Sequence, residues 1–404
     1  MRILSITAQK PHSTGSGVYL TELVKNWNAA GHEQAVLAGV YEEDIVQFPE
    51  EVVFYPVQYL SDTLPFAIAG MSDEMPYEST RYQDFTEEMR KAYQNAFGRA
   101  IEKAVEQFNP DFIVCHHLYL LTALVREWYP KRKIIGICHG SDLRQICKNP
   151  LQREYIQKWI PQLNGIVALH DEQKKEIVRI FDCREELVHT VGVGYNQTIF
   201  CRKKTEKRDN KQLAFAGKVT EKKGIFSLLR AVEMLDFASD ELVIKIAGGY
   251  GSETEYEEIC KLAETCKFPV TFLGVLQQEA LAEVFRQSDV FVLPSFFEGL
   301  PLVTMEAMAC GCKVVCSEIL GMEEWLCKHV PGQQVEFVPL PKMSCVDEPK
   351  EEELSVFEKR LAEALQKKLE QREEEHPDLS GVSWEGISRR VLEIVNRKEG
   401  KICL

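Results

Sequence analysis

The stretch Val290-Phe291-Val292-Leu293-Pro294-Ser295-Phe296-Phe297-Glu298-Gly299-Leu300-Pro301-Leu302-Val303-Thr304-Met305-Glu306-Ala307-Met308-Ala309 reads as a strand, a loop and a helix in succession. Val290 to Leu293 is apolar at every position, as a strand covered on both faces of a parallel sheet must be. Pro301 stands at a candidate first helical position, where a missing N–H costs nothing. The same alternation extends along the chain in both directions. It predicts strands at 2–8, 34–40, 111–115, 133–138, 164–169 and 187–192, then at 211–216, 242–247, 269–273, 289–293, 313–316 and 334–338. Helical periods fall between them at 17–30, 87–107, 118–128, 172–181, 223–235, 253–265, 277–286 and 302–310. Alternating strands and helices specify βαβ units and parallel sheets, so the fold class is α/β. The polar, aperiodic run from Cys201 to Asn210 is an expected exposed connector, which puts the junction of two doubly wound domains near residue 200. Ligands of such sheets bind beyond the carboxyl ends of the strands, here a central cleft between the domains. Residues 344–376 are rich in Glu and Lys and predict a solvated loop and a surface helix, followed by a last helix from Trp384 to Arg397.

Bulk properties exclude several classes. With 404 residues the chain exceeds one comfortable core. A net charge of −14 argues against a nucleic-acid partner, which demands a basic face, and makes a membrane surface no indicated partner. No run reaches the roughly 18 apolar residues a membrane span needs. The opening residues, Met1-Arg2-Ile3-Leu4-Ser5-Ile6, are too short for a signal h-region. Thirteen cysteines without metal spacing read as reduced thiols of a cytoplasmic protein, and Cys403 is misplaced for prenylation.

The chemistry concentrates in four places. Backbone N–H groups of Leu300, Pro301-flanking Leu302 and Val303 are the unpaired donors of a helix start, a ready site for a diphosphate. Glu298 precedes that start, whereas Glu306 lies over a turn inside it among Val303, Met305, Ala307 and Met308, where an unpaired carboxylate is costly. Phe215-Ala216-Gly217-Lys218-Val219-Thr220-Glu221-Lys222-Lys223-Gly224 ends a strand and opens a helix, so Lys218 and Lys223 can converge on one anion. Ile137-Cys138-His139-Gly140-Ser141-Asp142 ends an apolar strand with a histidine, and His116 and His117 end another. Neighbours on an extended chain face opposite sides, so at most one of the latter pair should face a ligand. Ser13-Thr14-Gly15-Ser16-Gly17 follows the first strand, where glycine permits close backbone approach. Read singly, these lysines are usually solvated and such histidines usually core residues.

Taken together, Glu298-x7-Glu306, His139-Gly140-Ser141-Asp142, and Gly217-Lys218 with Lys223-Gly224 resemble the motifs of family 4 retaining glycosyltransferases with the GT-B fold, over nearly the whole chain. The resemblance implies two Rossmann-like domains facing a central cleft. These would be an acceptor domain over 1–200, a nucleotide-sugar domain over 201–382, and a helix over 383–404 crossing back to the first. It implies that Glu298 binds the donor sugar, Glu306 the ribose, and His139 the sugar beside the reacting carbon. Ser16, Gly17, Gly217, Gly248, Gly274, Gly299, Leu300, Pro301, Leu302 and Val303 become expected donor contacts, and His116, His117 and Asp142 expected acceptor contacts. Gly194 to Phe200 resembles the element at the domain junction, an expected hinge, and the loop 62–82 is expected to shape the acceptor pocket. Two positions depart from the pattern. Lys218 stands where arginine is usual, which removes the bidentate fork and weakens leaving-group stabilisation, and Asn196 replaces an aspartate.

No D-x-D occurs, so the expected reaction needs no metal and no cofactor: Lys218, Lys223 and the helix start neutralise the diphosphate. The expected partners are a nucleotide-sugar, UDP-linked by preference, and a small-molecule, glycan or lipid-linked acceptor. Two rivals stay open: a non-catalytic sugar-nucleotide or glycan-binding subunit of a partner enzyme, and another enzyme of the same architecture, such as a nucleotide-sugar epimerase or a glycan phosphorylase. The motifs leave the base, the sugar, the acceptor and the oligomeric state open.

Overall fold

The computed structural model describes residues 1–72, 74–203, 209–345, 347–372 and 376–396. The chain divides into two compact units, Met1–Val193 together with the residues from Trp384 onward, and Gly194–Ser383. The boundary falls earlier than residue 200 for a packing reason. Phe200 is fully buried beside Phe285, ring centroids 6.3 Å apart, and the Arg286 guanidinium donates to the carbonyls of Cys201 and Ile199. The chain from Gly194 to Cys201 is thereby tied into the second unit. Of the expected connector, residues 204–208 lie outside the described residues, as do Asp73 of the long loop and residues 397–404.

The first unit runs β1 (Arg2–Thr7), α1 (Gly15–Ala29), β2 (Glu33–Val40), β3 (Val53–Gln58), β4 (Ala69–Gly70), β5 (Thr80–Arg81), α2 (Glu87–Phe108), β6 (Phe112–His116), α3 (Leu120–Trp128), β7 (Lys133–Ile137), α4 (Ser141–Lys148), α5 (Arg153–Trp159), β8 (Gly165–Ala168), α6 (Asp171–Phe181) and β9 (Val188–Thr190). Its main sheet has the order β3-β2-β1-β6-β7-β8-β9 with every pairing parallel. Helix starts follow local chemistry: the side chains of Thr14, Thr86 and His170 accept from the amides of Gly17, Met89 and Gln173 and satisfy otherwise orphaned donors. The second unit runs β10 (Lys211–Ala216), α7 (Ile225–Val232), β11 (Leu242–Ala247), α8 (Glu253–Glu264), β12 (Val270–Gly274), α9 (Gln278–Arg286), β13 (Val290–Leu293), α10 (Leu302–Cys310), β14 (Lys313–Ser317), α11 (Met322–His329), β15 (Glu336–Val338) and α12 (Glu351–Glu370). Its sheet is β12-β11-β10-β13-β14-β15, again parallel throughout. In each sheet the order reverses beside the first strand, between β1 and β6 and between β10 and β13. Those are the topological switch points at which α/β sheets open a crevice.

Several elements differ from the expectation. β3 carries Pro56, which cannot donate to a ladder and is tolerated because β3 is an edge strand. The short helices α4, α5 and α11 add to the elements that the sequence pattern predicts. The 62–82 segment is less a loose loop than a packed cover: Leu64, Ile68 and Met71 are buried, β4 pairs with β5, and Gln145 and Arg144 of α4 hydrogen-bond Met71 O and Ser72 Oγ. α12 is the expected surface helix, and one of its faces is packed. Its residues Phe357, Leu361, Leu365 and Leu369, spaced four apart, are all buried on the second unit.

The last helix, α13 (Trp384–Asn396), belongs to the first unit. Trp384 meets Tyr19 edge-on at 4.9 Å, and the Trp27 indole donates to Ser388 O at 3.0 Å. Trp384→Ala should therefore lower the stability of the first unit by about 3–5 kcal/mol, measured by chemical denaturation.

Candidate functional site

In the second unit the predicted residues gather at the carboxyl edge around the β10/β13 switch point. Glu298, on the loop from β13 to α10, accepts from Lys223 Nζ at 2.5 Å and from Ser295 Oγ at 2.9 Å, both at Oε1. Lys223 reaches it because Gly224 lets the β10–α7 loop touch the β13 end: a Cβ at Gly224, whose φ is +72°, would lie 2.1 Å from Pro294 O. Lys222 turns the other way and pairs with buried Asp347 at 3.0 Å. Lys218 sits half-buried on the same loop. α10 begins at Leu302 with Pro301 as an extended N-cap rather than as its first residue, and no side chain caps it. The amides of Leu302 and Val303 therefore keep the anion-binding character of an open helix start. Glu306 is buried one helical turn further in. Gly299 and Leu300 lie on the loop leading to that start.

Three glycines close the edge on the other side of β10. Gly217 N donates to Ala247 O at 3.0 Å and Gly248 N to Gly274 O at 2.8 Å. A Cβ on Gly248 would fall 1.7 Å from Gly217 O, so this glycine is dictated by its neighbour's backbone. Among the described residues one group of candidate metal ligands sits together, Cys345, Asp347 and Glu348. Its buried carboxylate is already matched by Lys222.

In the first unit three histidines come together at the ends of β6 and β7. His116 Nδ1 and His139 Nε2 share a hydrogen bond of 3.1 Å between stacked rings, and the ring of His117 lies 4.8 Å from that of His139. Alternation along a strand would part His116 from His117, yet both rings turn toward His139. β6 stops at His116, and His117 takes the left-handed conformation with φ 70°, which breaks the alternation and turns both rings toward His139. Tyr19, which no motif marks, stands edge-on to His139 at 5.4 Å while its hydroxyl donates to Gly192 O. Burial lowers the basicity of all three imidazoles, with mutual proximity adding to it for His139 and His116; His116 falls to about 3. The cluster is therefore neutral at ordinary pH.

Asp142 does not face a ligand. It is fully buried and accepts from Leu118 N at 2.8 Å and His139 N at 3.1 Å, so it positions the histidine loops instead of contacting an acceptor. Gly17 packs in the first turn of α1, where a Cβ would lie 2.9 Å from His12 N and Lys10 O. Ser16 Oγ shares a hydrogen bond with Thr14 Oγ1 at 3.0 Å. Close packing within the chain thus accounts for Gly17. Ser295 is a supporting residue that the motifs do not mark.

Two family models match, Glycosyltransferase Family 4 over residues 13–198 and Glycosyl transferases group 1 over residues 197–339. The chain belongs to the family 4, group 1 glycosyltransferases, which places it in the transferase class. It is 30% identical over 203 residues to the D-inositol 3-phosphate glycosyltransferase of Corynebacterium diphtheriae, a match covering 46% of each protein. Curated relatives are matched over 44% to 78% of their length. Among solved structures, the sucrose-phosphate synthase of Thermosynechococcus elongatus superposes with a TM-score of 0.69 at 15% identity, covering 98% of both chains. The Anabaena protein HepE, solved in complex with UDP and glucose, superposes with a TM-score of 0.63 at 13% identity, covering 98% of this chain and 99% of that one. The fold is thus GT-B, built of two Rossmann-like domains. No described helix is long and apolar enough to cross a membrane.

The histidine cluster gives a pH dependence of definite sign. An unfolded histidine binds a proton below pH 6.5, whereas folded His116 resists protonation down to about 3, so stability is lost as pH falls through this window. At pH 5 the contribution of His116 is about 2 kcal/mol of lost stability. Denaturation at pH 7 and pH 5 should show this loss, and His116→Gln should reduce it. Separately, Asp142→Ala strands the buried amides of Leu118 and His139 and should cost about 1–3 kcal/mol by the same assay.

Proposed function

We propose that the chain is a retaining, metal-independent glycosyltransferase that moves a sugar from a nucleotide diphosphate donor, a UDP-sugar in the first instance, to an acceptor hydroxyl. The observation that carries this reading is the Glu298–Lys223–Ser295 constellation beside the uncapped start of α10. It offers a carboxylate for sugar hydroxyls and a cation with backbone donors for a diphosphate, on one loop edge. The donor is assigned to the second unit, with Glu306 on the ribose, Gly217, Gly248 and Gly274 letting the nucleotide approach the backbone, and Lys218, Lys223, Leu302 and Val303 on the diphosphate. His139 is assigned to the sugar, and the first unit, with His116 and His117, to the acceptor. Neutral imidazoles suit hydroxyls, since each ring offers one donor and one acceptor.

In the proposed step the bond from the anomeric carbon to the diphosphate oxygen breaks, and the acceptor oxygen bonds the same face of that carbon. The acceptor's proton passes to the departing phosphate oxygen, so the reading names no protein base. Charge growing on the leaving group is met by Lys218, Lys223 and the helix start, which therefore bind the transition state more strongly than the ground state. A UDP donor is supported by the UDP-bound neighbour and by the family resemblance.

Incubation with UDP-, GDP- and ADP-sugars in EDTA should release nucleotide diphosphate from one donor. Glu298→Ala should cut kcat/KM for that donor by about 10² or more. The anomeric proton of the product, followed by NMR, should keep the donor's configuration. Binding without release, even with acceptors supplied, would favour the binding-subunit reading that Lys218 keeps in play. Loss of release in EDTA would contradict metal independence.

A further inference from the structure

Lys222 and Lys223 stand side by side in the short turn Glu221–Lys223 between β10 and α7, and the proposed reading uses only the second. The turn's backbone is held from several sides. Gly224 brings its end against Pro294 O, Glu255 of α8 accepts from Glu221 N at 2.5 Å, and Phe296 N donates to Lys222 O at 3.0 Å. A lysine stem is flexible, however, so a fixed backbone does not fix its ammonium group. The two side chains are chemically identical, and only their surroundings decide which of them meets Glu298.

Two carboxylates do the sorting: Lys223 pairs with Glu298 at 2.5 Å and Lys222 with Asp347 at 3.0 Å. Asp347 is the unusual member, with a side chain 1% exposed against 46% for Lys222. Taking a carboxylate out of water costs about as much as an ion pair returns, so stability alone is a poor reason for burying one. The stretch that carries Asp347 is itself well braced. Met343 bridges Pro349 in antiparallel fashion, Lys350 N donates to Lys342 O at 2.8 Å, and Ser344 N donates to Glu348 O at 2.8 Å. It leads into α12, whose Phe357 ring lies 5.5 Å from that of Phe296 on the β13–α10 loop. Asp347 and Glu298 are thus tied to one frame.

We infer that Asp347 is a positioning residue: by holding Lys222 away, it reserves Glu298 and the start of α10 for Lys223. The inference rests on the sugar-nucleotide reading above and adds a residue that acts through Lys222. Released from Asp347, Lys222 would compete with Lys223 for Glu298. A cation would then still lie near the diphosphate, so ground-state attraction survives, but the transition state loses a charge placed in advance.

Steady-state kinetics, with the donor from which the unchanged chain releases nucleotide diphosphate, tests this. Asp347→Asn should lower kcat by about 10- to 100-fold and leave KM for the donor within about threefold. Adding Lys222→Met to Asp347→Asn removes the competitor and should return kcat to within about threefold of the unchanged chain. A merely structural carboxylate would give no such rescue, since the double variant only loses one contact more. The double variant also decides the matter should Asp347→Asn fail to fold, because it leaves neither charge of the pair unmatched. An unaltered kcat in Asp347→Asn, or a double variant at about a tenth of the unchanged kcat or less, would overturn the inference and leave the sugar-nucleotide reading standing. If the unchanged chain released nucleotide diphosphate from no donor, both would fall.

Discussion

Every residue with chemistry in this chain owes its place to one constraint: a parallel sheet covered on both faces sends all of its strand ends carrying loops of one kind to the same edge. Here two such sheets do so independently. β10 and β13 deliver Lys223 and Glu298 to one edge, although these residues are far apart in sequence. β6 and β7 deliver His116, His117 and His139 to another. The reversal of strand order beside β1 and β10 leaves the opening that such edges need. Glycine is required where two of these loops touch, as at Gly224 and Gly248, because any side chain there would collide with a neighbouring backbone carbonyl.

The two edges differ in electrostatic character. That of the second unit is charged but self-compensated: Glu298 holds Lys223 and Ser295, and Lys222 holds Asp347. The Lys223–Glu298 pair is partly open to water, at 25% and 17% side-chain exposure, so its net stabilising effect is small after solvent screening. Its consequence is geometric, since it fixes the cation and carboxylate in one arrangement beside the open start of α10 before any anion arrives. The edge of the first unit is neutral, because burial and mutual proximity keep its imidazoles unprotonated.

Much of this was legible from the residues. Continuous apolar runs such as Val290–Leu293 can only be doubly covered strands, and Glu298 and Glu306 flank a helix start that the structure leaves without a side-chain cap. What the sequence did not disclose depends on tertiary packing. Pro56 hid an edge strand. The left-handed turn at His117 overrode the alternation that should have parted it from His116. Asp142, read as an acceptor contact, is a buried anchor for two amides, a role that depends on which backbone groups the fold leaves unpaired. The pairing of Lys222 with Asp347 joins two loops by a contact no motif records.

On the proposed reading a diphosphate binds where Lys223, Glu298 and the start of α10 converge. A crystal structure of the chain soaked with the tightest-binding nucleoside diphosphate tests it most directly. Phosphate oxygens are expected within hydrogen-bond distance of Lys223 Nζ and of the amides of Leu302 and Val303. A diphosphate bound elsewhere in the chain, with those groups untouched, would contradict it.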